Sequence, residues 1–182
     1  MLEQNDVVLV RQCLEGEVKA FERLIDKYQK TIFNVALRMS NDYDAAEDIA
    51  QAVFVKAYEK LASFEAGHKF FSWLYRMAVN ESLNFVNRHK RFEALEDVFA
   101  AEDKTPEESY EESEMAQRVE RALMRLEPEQ RALIVLKHFQ ELAYEEIGFI
   151  FDIPEKTVKS RLFAARQALK QIMLKQGLFA NG

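Results

Sequence analysis

The chain has 182 residues, 48% of them hydrophobic, which is enough for one or two small cores, and only five glycines and three prolines break it. A single cysteine, Cys13, excludes an internal disulfide and a cysteine-rich zinc site. The net charge of −6 looks unsuited to a nucleic-acid partner until it is divided along the chain.

Residues 1–92 carry thirteen basic and thirteen acidic side chains and balance to zero. Residues 93–114 set ten acids against Lys104, for −9, and residues 115–182 set eleven basic against eight acidic groups, for +3. The acidity is a local block, so the flanking parts are free to meet phosphates. A block that repels itself and has little apolar surface does not fold alone, so 93–114 reads as an acidic flexible linker. With no long alternating runs, the expected fold is all-α, two small helical domains at 1–92 and 115–182. The first residues lack the basic start and apolar run of a signal peptide, and no segment approaches a membrane span, so the expected compartment is cytoplasmic.

In chain order, Asn5-Asp6 can cap a short helix over 7–14 that ends at Gly16. Phe21, Leu24, Ile25, Tyr28, Ile32 and Phe33 recur at helical spacing in a longer one. Residues 40–44 break it and cap a third over 45–61, with Ile49, Val53, Phe54, Ala57 and Tyr58 facing inward. Asp48 and Gln51 lie three apart on its polar side. A loop over 63–69 around Gly67 leads to a helix from about 71 to 89, burying Leu74, Met77, Ala78 and Phe85. Phe64, Phe70, Phe71, Trp73 and Tyr75 crowd the loop and that helix start, with His68, Lys69 and Arg76 among them. Aromatics interleaved with cations suit stacking on unpaired bases, although rings such as Trp73 equally serve a core.

The region 144–162 reads as a helix-turn-helix whose turn holds Asp152 and Pro154. Ile147, Ile150 and Phe151 form the inner stripe of its first helix, and Gly148 lets the second pass close by. Val158 and Leu162 face back onto the first helix, leaving Lys159, Ser160, Phe163 and Arg166 on the side such motifs place in the major groove. An ordinary helical hairpin is the alternative. No nucleophile–base pair, phosphate-cradling Gly loop or metal-ligand spacing is present, so no catalytic residues, metal or cofactor are expected and the chain does not read as an enzyme.

Ala46-Glu47-Asp48-Ile49-Ala50-Gln51-Ala52-Val53-Phe54-Val55-Lys56-Ala57-Tyr58, then Phe71-Ser72-Trp73-Leu74-Tyr75-Arg76-Met77-Ala78-Val79-Asn80, then the helix-turn-helix, resemble bacterial RNA polymerase sigma factors of the extracytoplasmic-function group. Their order and spacing cover nearly the whole chain, in the minimal two-domain form. The resemblance implies a sigma factor that binds core RNA polymerase and promoter DNA in transcription initiation. Asp48 and Gln51 would dock on the polymerase clamp helices. The loop and helix carrying Phe64, His68, Lys69, Phe71, Trp73, Arg76, Asn80, Asn84 and Arg88 would capture a flipped base of the −10 element and contact its backbone. Tyr144, Glu145, Thr157, Lys159, Ser160, Phe163 and Arg166 would read the −35 element, and the acidic linker would thread the RNA channel. An anti-sigma factor is a further partner that the family leads one to expect.

Ala52 stands where the family usually has an acidic residue, which is expected to weaken one polymerase contact; Lys156, Ala164 and Glu65 depart from the usual glycine, arginine and basic residue at their positions, which bears on promoter preference. Glu146 and Arg161 are expected to pair within the motif. Two other readings share these residues: a helix-turn-helix regulator acting without polymerase, and a helical antagonist that mimics a sigma factor.

Overall fold

The computed structural model describes the backbone of residues 2–96 and 114–177, and the side chains of 6–91 and 115–177. Among these residues the chain is helical throughout, with no strand. Helices α1 (Leu2–Leu14), α2 (Val18–Ser40), α3 (Tyr43–Glu59) and α4 (Phe70–Glu96) form the first domain, with a 3-10 turn at Leu61–Ser63. Helices α5 (Glu114–Met124), α6 (Pro128–Ile134), α7 (Tyr144–Phe151) and α8 (Glu155–Lys175) form the second, with a π-helical turn at Val135–Phe139. The central part of the acidic block, 97–113, lies outside the described residues.

In the first domain α2 is the hub, packing on α1, α3 and α4. Its stripe buries Phe21, Leu24 and Ile32 as the spacing requires, together with Val35, Ala36 and Met39. Asn41 ends it in the left-handed conformation (φ 55°), its N–H bonded to Leu37 O. The Asp42 side chain then caps α3 by accepting the Ala45 N–H at 2.9 Å.

Three sequence expectations change here. Asp6 does not cap a helix: α1 begins at Leu2, and Asp6, 2% exposed, accepts from Lys27 Nζ and the Tyr28 hydroxyl. A partner on another helix holds it, and local pattern carries no sign of that. Tyr58 does not turn inward: it is 46% exposed, with its ring edge against Phe21. Helix α4 runs past 89 to Glu96, since no glycine or proline stops it.

In the second domain α8 packs on α6 and α7. The domains meet where α4 carries α7 and α6, and the buried side chains of both join one hydrophobic cluster. Tyr75, buried on α4, donates its hydroxyl to Gln140 Oε1 at 2.9 Å across this junction, and burial pushes its pKa up to about 12.

Candidate nucleic-acid interface

The helix-turn-helix is built on close backbone approach. A Cβ on Gly148 would stand 2.8 Å from the carbonyl oxygen of Ile153, whose N–H bonds to Gly148 O at 3.0 Å. Asp152 makes the turn at φ 55°, and Pro154 sits at the N-terminal boundary of α8. Gly148→Val should therefore destabilise the protein by about 1–3 kcal/mol, read by urea denaturation followed by circular dichroism. An unchanged midpoint would show that the turn yields freely.

Val158, Leu162 and Ala165 are fully buried, which fixes the roll of α8. Lys159, Ser160, Phe163 and Arg166 are then exposed together, with Thr157 half-buried beside them. Phe163 is 62% exposed, an apolar ring set among cations and a hydroxyl. Two local contacts hold the cations in place. Lys159 Nζ lies 2.5 Å from Glu155 Oε1, and that hydrogen bond, then the Glu155 charge, raises its pKa. Arg166 Nε donates to His138 Nε2 at 3.1 Å. Burial, then the charges of Arg166 and Lys137, lower the His138 pKa, which keeps its ring a neutral acceptor. Tyr144 is half-buried, with Lys137 and Lys159 4.7 and 5.4 Å from its ring centre, and Glu145 is exposed.

Glu146 does not pair with Arg161. One carboxylate oxygen accepts the Ala143 N–H at 2.7 Å, closing the start of α7, and the other accepts from Lys69 of the first domain at 2.9 Å. Arg161 is exposed on α8. The cross-domain cation is nearer to Glu146 than any arginine of its own motif, and spacing alone does not reveal it.

On the first domain Phe64, Phe70 and Trp73 pack ring against ring at 5.4–5.6 Å. Phe70 is buried, while Phe64, Phe71 and Trp73 are half-buried, so the cluster serves the core on one side and a surface on the other. Lys69 Nζ lies 5.4 Å from the Phe71 ring centre. His68 stands 4.0 Å from Glu65, and Arg76 reaches toward the second domain. Further along α4, Asn80, Asn84 and Arg88 are exposed one turn apart, beside a hollow lined by Glu81, Asn87 and Arg91. Asp48 and Gln51 are exposed on α3, and Gln51 edges a 590 Å³ apolar groove with Phe21, Ile25, Val55 and Tyr58.

Two residues that sequence reading passed over matter here. Arg131 is 4% exposed and bonds four backbone carbonyls, one of them Met39 O in the first domain. Phe149, on the side of α7 away from Ile147 and Ile150, meets His68 and Arg76. An aromatic at a half-exposed helix position was the one available signal.

This arrangement defines a helical protein with two exposed polar faces, one on α8 and one along α3 and α4. Residues 24–92 match the family described as Sigma-70 region 2, and residues 116–169 that described as Sigma-70, region 4. The sigma-E factor of Escherichia coli (strain K12) is 36% identical over 91% of this chain and 92% of its own. SigW of Bacillus subtilis (strain 168) is 32% identical over 89% and 93%, and the sigma-H factor of Pseudomonas aeruginosa 31% over 95% and 96%. Among solved structures, RpoE in complex with the anti-sigma factor NepR from Bartonella quintana aligns with a TM-score of 0.71 at 27% identity, covering 85% of this chain and 97% of that one. CnrH in complex with the cytosolic domain of CnrY gives the same TM-score at 23% identity, covering 93% and 97%, a likeness of fold. The chain belongs to the sigma-70 family of RNA polymerase sigma factors, in its extracytoplasmic-function group. It is a sigma factor: it binds core polymerase and directs it to promoters for transcription initiation. Sigma factors in general are not enzymes, and no helix among the described residues is long and apolar enough to cross a membrane.

Proposed function

We propose that the two faces divide the work of promoter recognition, with residues 1–92 acting on polymerase and the −10 element and 115–182 on the −35 element. The observation that carries this is the roll of α8, which buries Val158, Leu162 and Ala165 and leaves Lys159, Ser160, Phe163 and Arg166 together in solvent. Inserted in a major groove, that face offers two cations for phosphate or guanine, a hydroxyl, and a ring for a thymine methyl group. Thr157, Tyr144 and Glu145 flank it.

On the other face the half-buried Phe64, Phe71 and Trp73 form the wall of a base pocket, with His68 and Lys69 at its rim. Arg76, Asn80, Asn84 and Arg88 follow the strand along α4. Extruding a base costs a few kcal/mol, and a stacked pocket offsets this only where a strand has opened. Each domain alone binds weakly; tethering both readers to one polymerase raises effective concentration and makes element spacing part of specificity. The acidic block between the domains suits a basic RNA channel. The chain carries out no catalytic step of its own and acts in the cytoplasm, where the polymerase is. An anti-sigma factor is a fitting regulator, since RpoE of Bartonella quintana is held by one.

Asp48 and Gln51 dock on the polymerase. Asp48→Lys with Gln51→Ala should weaken binding to core polymerase at least tenfold, measured by fluorescence anisotropy, because an exposed acidic contact becomes repulsive. Affinity for −35 duplex DNA should stay unchanged. A double variant that binds core as the parent does would remove these residues from the interface.

A further inference from the structure

Arg166 stands apart from the rest of the α8 face both in where it lies and in how it is held. Helix α8 starts at Glu155, so Lys159 and Ser160 fall in its second turn and Arg166 in its fourth. Seven residues of helix put Arg166 about 10 Å beyond Lys159 along the axis. Recognition helices meet base edges with their N-terminal residues, so Lys159 and Ser160 face bases while Arg166 overhangs the groove wall, where phosphates lie.

The guanidinium is aimed from outside its own helix. Its Nε donates to His138 Nε2 at 3.1 Å, a partner 28 residues away. His138 sits in the π-helical turn Val135–Phe139, anchored by buried Val135 and Leu136 and closed by the Gln140 N–H on Val135 O at 3.1 Å. Lys137 fastens the same turn, its Nζ donating to Leu142 O at 2.9 Å. A ring on so fixed a support fixes the roll of the guanidinium. With Nε engaged, the Nη1–Nη2 pair is the fork that can take two oxygens of one phosphate.

Accepting at Nε2 requires a neutral ring with its proton on Nδ1. Burial against the domain, then the positive charges of Arg166 from α8 and Lys137 from the same turn, lower the His138 pKa. The other elements around the turn add no nearer base. Arg38 of α2 lies over the Phe139 ring, and Tyr144 of α7 faces Lys137. On α6, Arg131 is turned to backbone carbonyls and Glu129 is exposed in the first turn.

We propose that His138 is a positioning residue for −35 recognition, holding the Arg166 guanidinium so that its Nη fork clamps one backbone phosphate beside the bases that Lys159 and Ser160 meet. The proposal rests on the placement of α8 in the major groove. As pH falls through the His138 pKa, below the usual histidine range, the ring gains a proton, stops accepting and repels the cation it held. The clamp is present above that pH and lost below it.

The test uses holoenzyme assembled from core polymerase and the full chain, binding a duplex promoter fragment recovered from a transcribed fragment pool, followed by fluorescence anisotropy. Arg166→Ala should weaken binding about tenfold and His138→Ala roughly three- to tenfold, the range for one hydrogen bond with and without charge. The double variant should lose no more than Arg166→Ala alone, because both act through one contact. His138→Gln, whose side-chain oxygen can accept from Nε, should restore most of the affinity. From about pH 7.5 to about pH 5 the parent should lose affinity relative to His138→Gln, which has no titrating ring. A methylphosphonate at one −35 phosphate should weaken the parent and leave Arg166→Ala unaffected. Thermal unfolding should not change in any variant, since both side chains reach solvent.

If Arg166→Ala is weakened but His138→Ala is not, or if the two losses add, His138 does not position the arginine, and the reading of α8 survives without the proposal. A parent that gains affinity over His138→Gln at low pH would make the ring itself a cation for DNA, which also overturns it. Equal sensitivity of the parent and Arg166→Ala to every methylphosphonate would mean that the arginine clamps no phosphate. No loss for Arg166→Ala, on a promoter that still needs its −35 element, would remove Arg166 from the DNA face and take that part of the α8 reading with it.

Discussion

Replacement of Arg131 by methionine should destabilise the protein by about 3–5 kcal/mol, the range for breaking a buried charged contact and stranding its partners. The guanidinium donates through Nε to Leu123 O at 3.1 Å, through Nη2 to Met124 O at 2.8 Å and Leu126 O at 3.3 Å, and through Nη1 to Met39 O. Leu123 and Met124 close α5, Leu126 follows it, and Met39 lies in the last turn of α2, so one cation serves carbonyls at two helix ends, of which Leu123 O also accepts the Leu126 N–H. The positive charge also lies where the dipoles of both helices are negative. Burial lowers the Arg131 pKa and the nearby Glu127 charge raises it, yet a guanidinium keeps its proton in any protein. Methionine fills most of the volume but donates nothing, so Met39 O, Met124 O and Leu126 O would be stranded, while Leu123 O keeps the Leu126 N–H at 3.0 Å. Arg131→Lys should recover less than half of the loss, because a single ammonium cannot span carbonyls on two helices. Urea denaturation of the parent and both variants measures this, and a loss below 1 kcal/mol for methionine would mean that water replaces the guanidinium.

Lys159→Ala combined with Arg166→Ala should reduce transcription from the protein's own promoters about 100-fold. Each cation is worth roughly 1–3 kcal/mol at a base edge or phosphate, and the two lie far enough apart on α8 to add. Both are held at short range, Lys159 by Glu155 and Arg166 by His138, so neither must be ordered from a free search when DNA arrives. Neither substitution touches the buried stripe of Val158, Leu162 and Ala165, so stability and core binding should be kept. Run-off assays with core polymerase, and anisotropy on −35 duplexes at two salt concentrations, check the prediction. The double variant should show a shallower salt dependence, because phosphate contacts are lost. A loss of the same size on DNA with a scrambled −35 element would show that the cations serve affinity without specificity.

Local chemistry made much of this molecule legible. The stripe of α2, the Asp42 cap, Gly148 under the Ile153 carbonyl and the breaking of the motif at Asp152–Pro154 all follow from spacing or backbone constraint. The exposed positions of α8 follow from those buried, because a helix with one face fixed has no choice about the other. What escaped depends on partners distant in sequence. Asp6 looks like a cap until Lys27 and Tyr28 come to it from α2. Glu146 looks like the partner of Arg161 until Lys69 arrives from another domain. Arg131 looks like an ordinary surface cation in a helical segment, and only the meeting of two helix ends explains its burial. Tyr58 fits the inward stripe of α3, yet that stripe is wider than the surface available to cover it, and the ring sits beside the α2–α3 groove. Each failure concerns a polar group or a rim position, where tertiary contact outweighs periodicity.

The most direct test of promoter direction is run-off transcription with purified core polymerase on a pool of promoter fragments, with and without this protein. Transcripts that appear only on its addition, from start sites sharing two upstream motifs at fixed spacing, are the predicted result. No transcription, together with tight binding of the protein alone to duplex DNA, would contradict it.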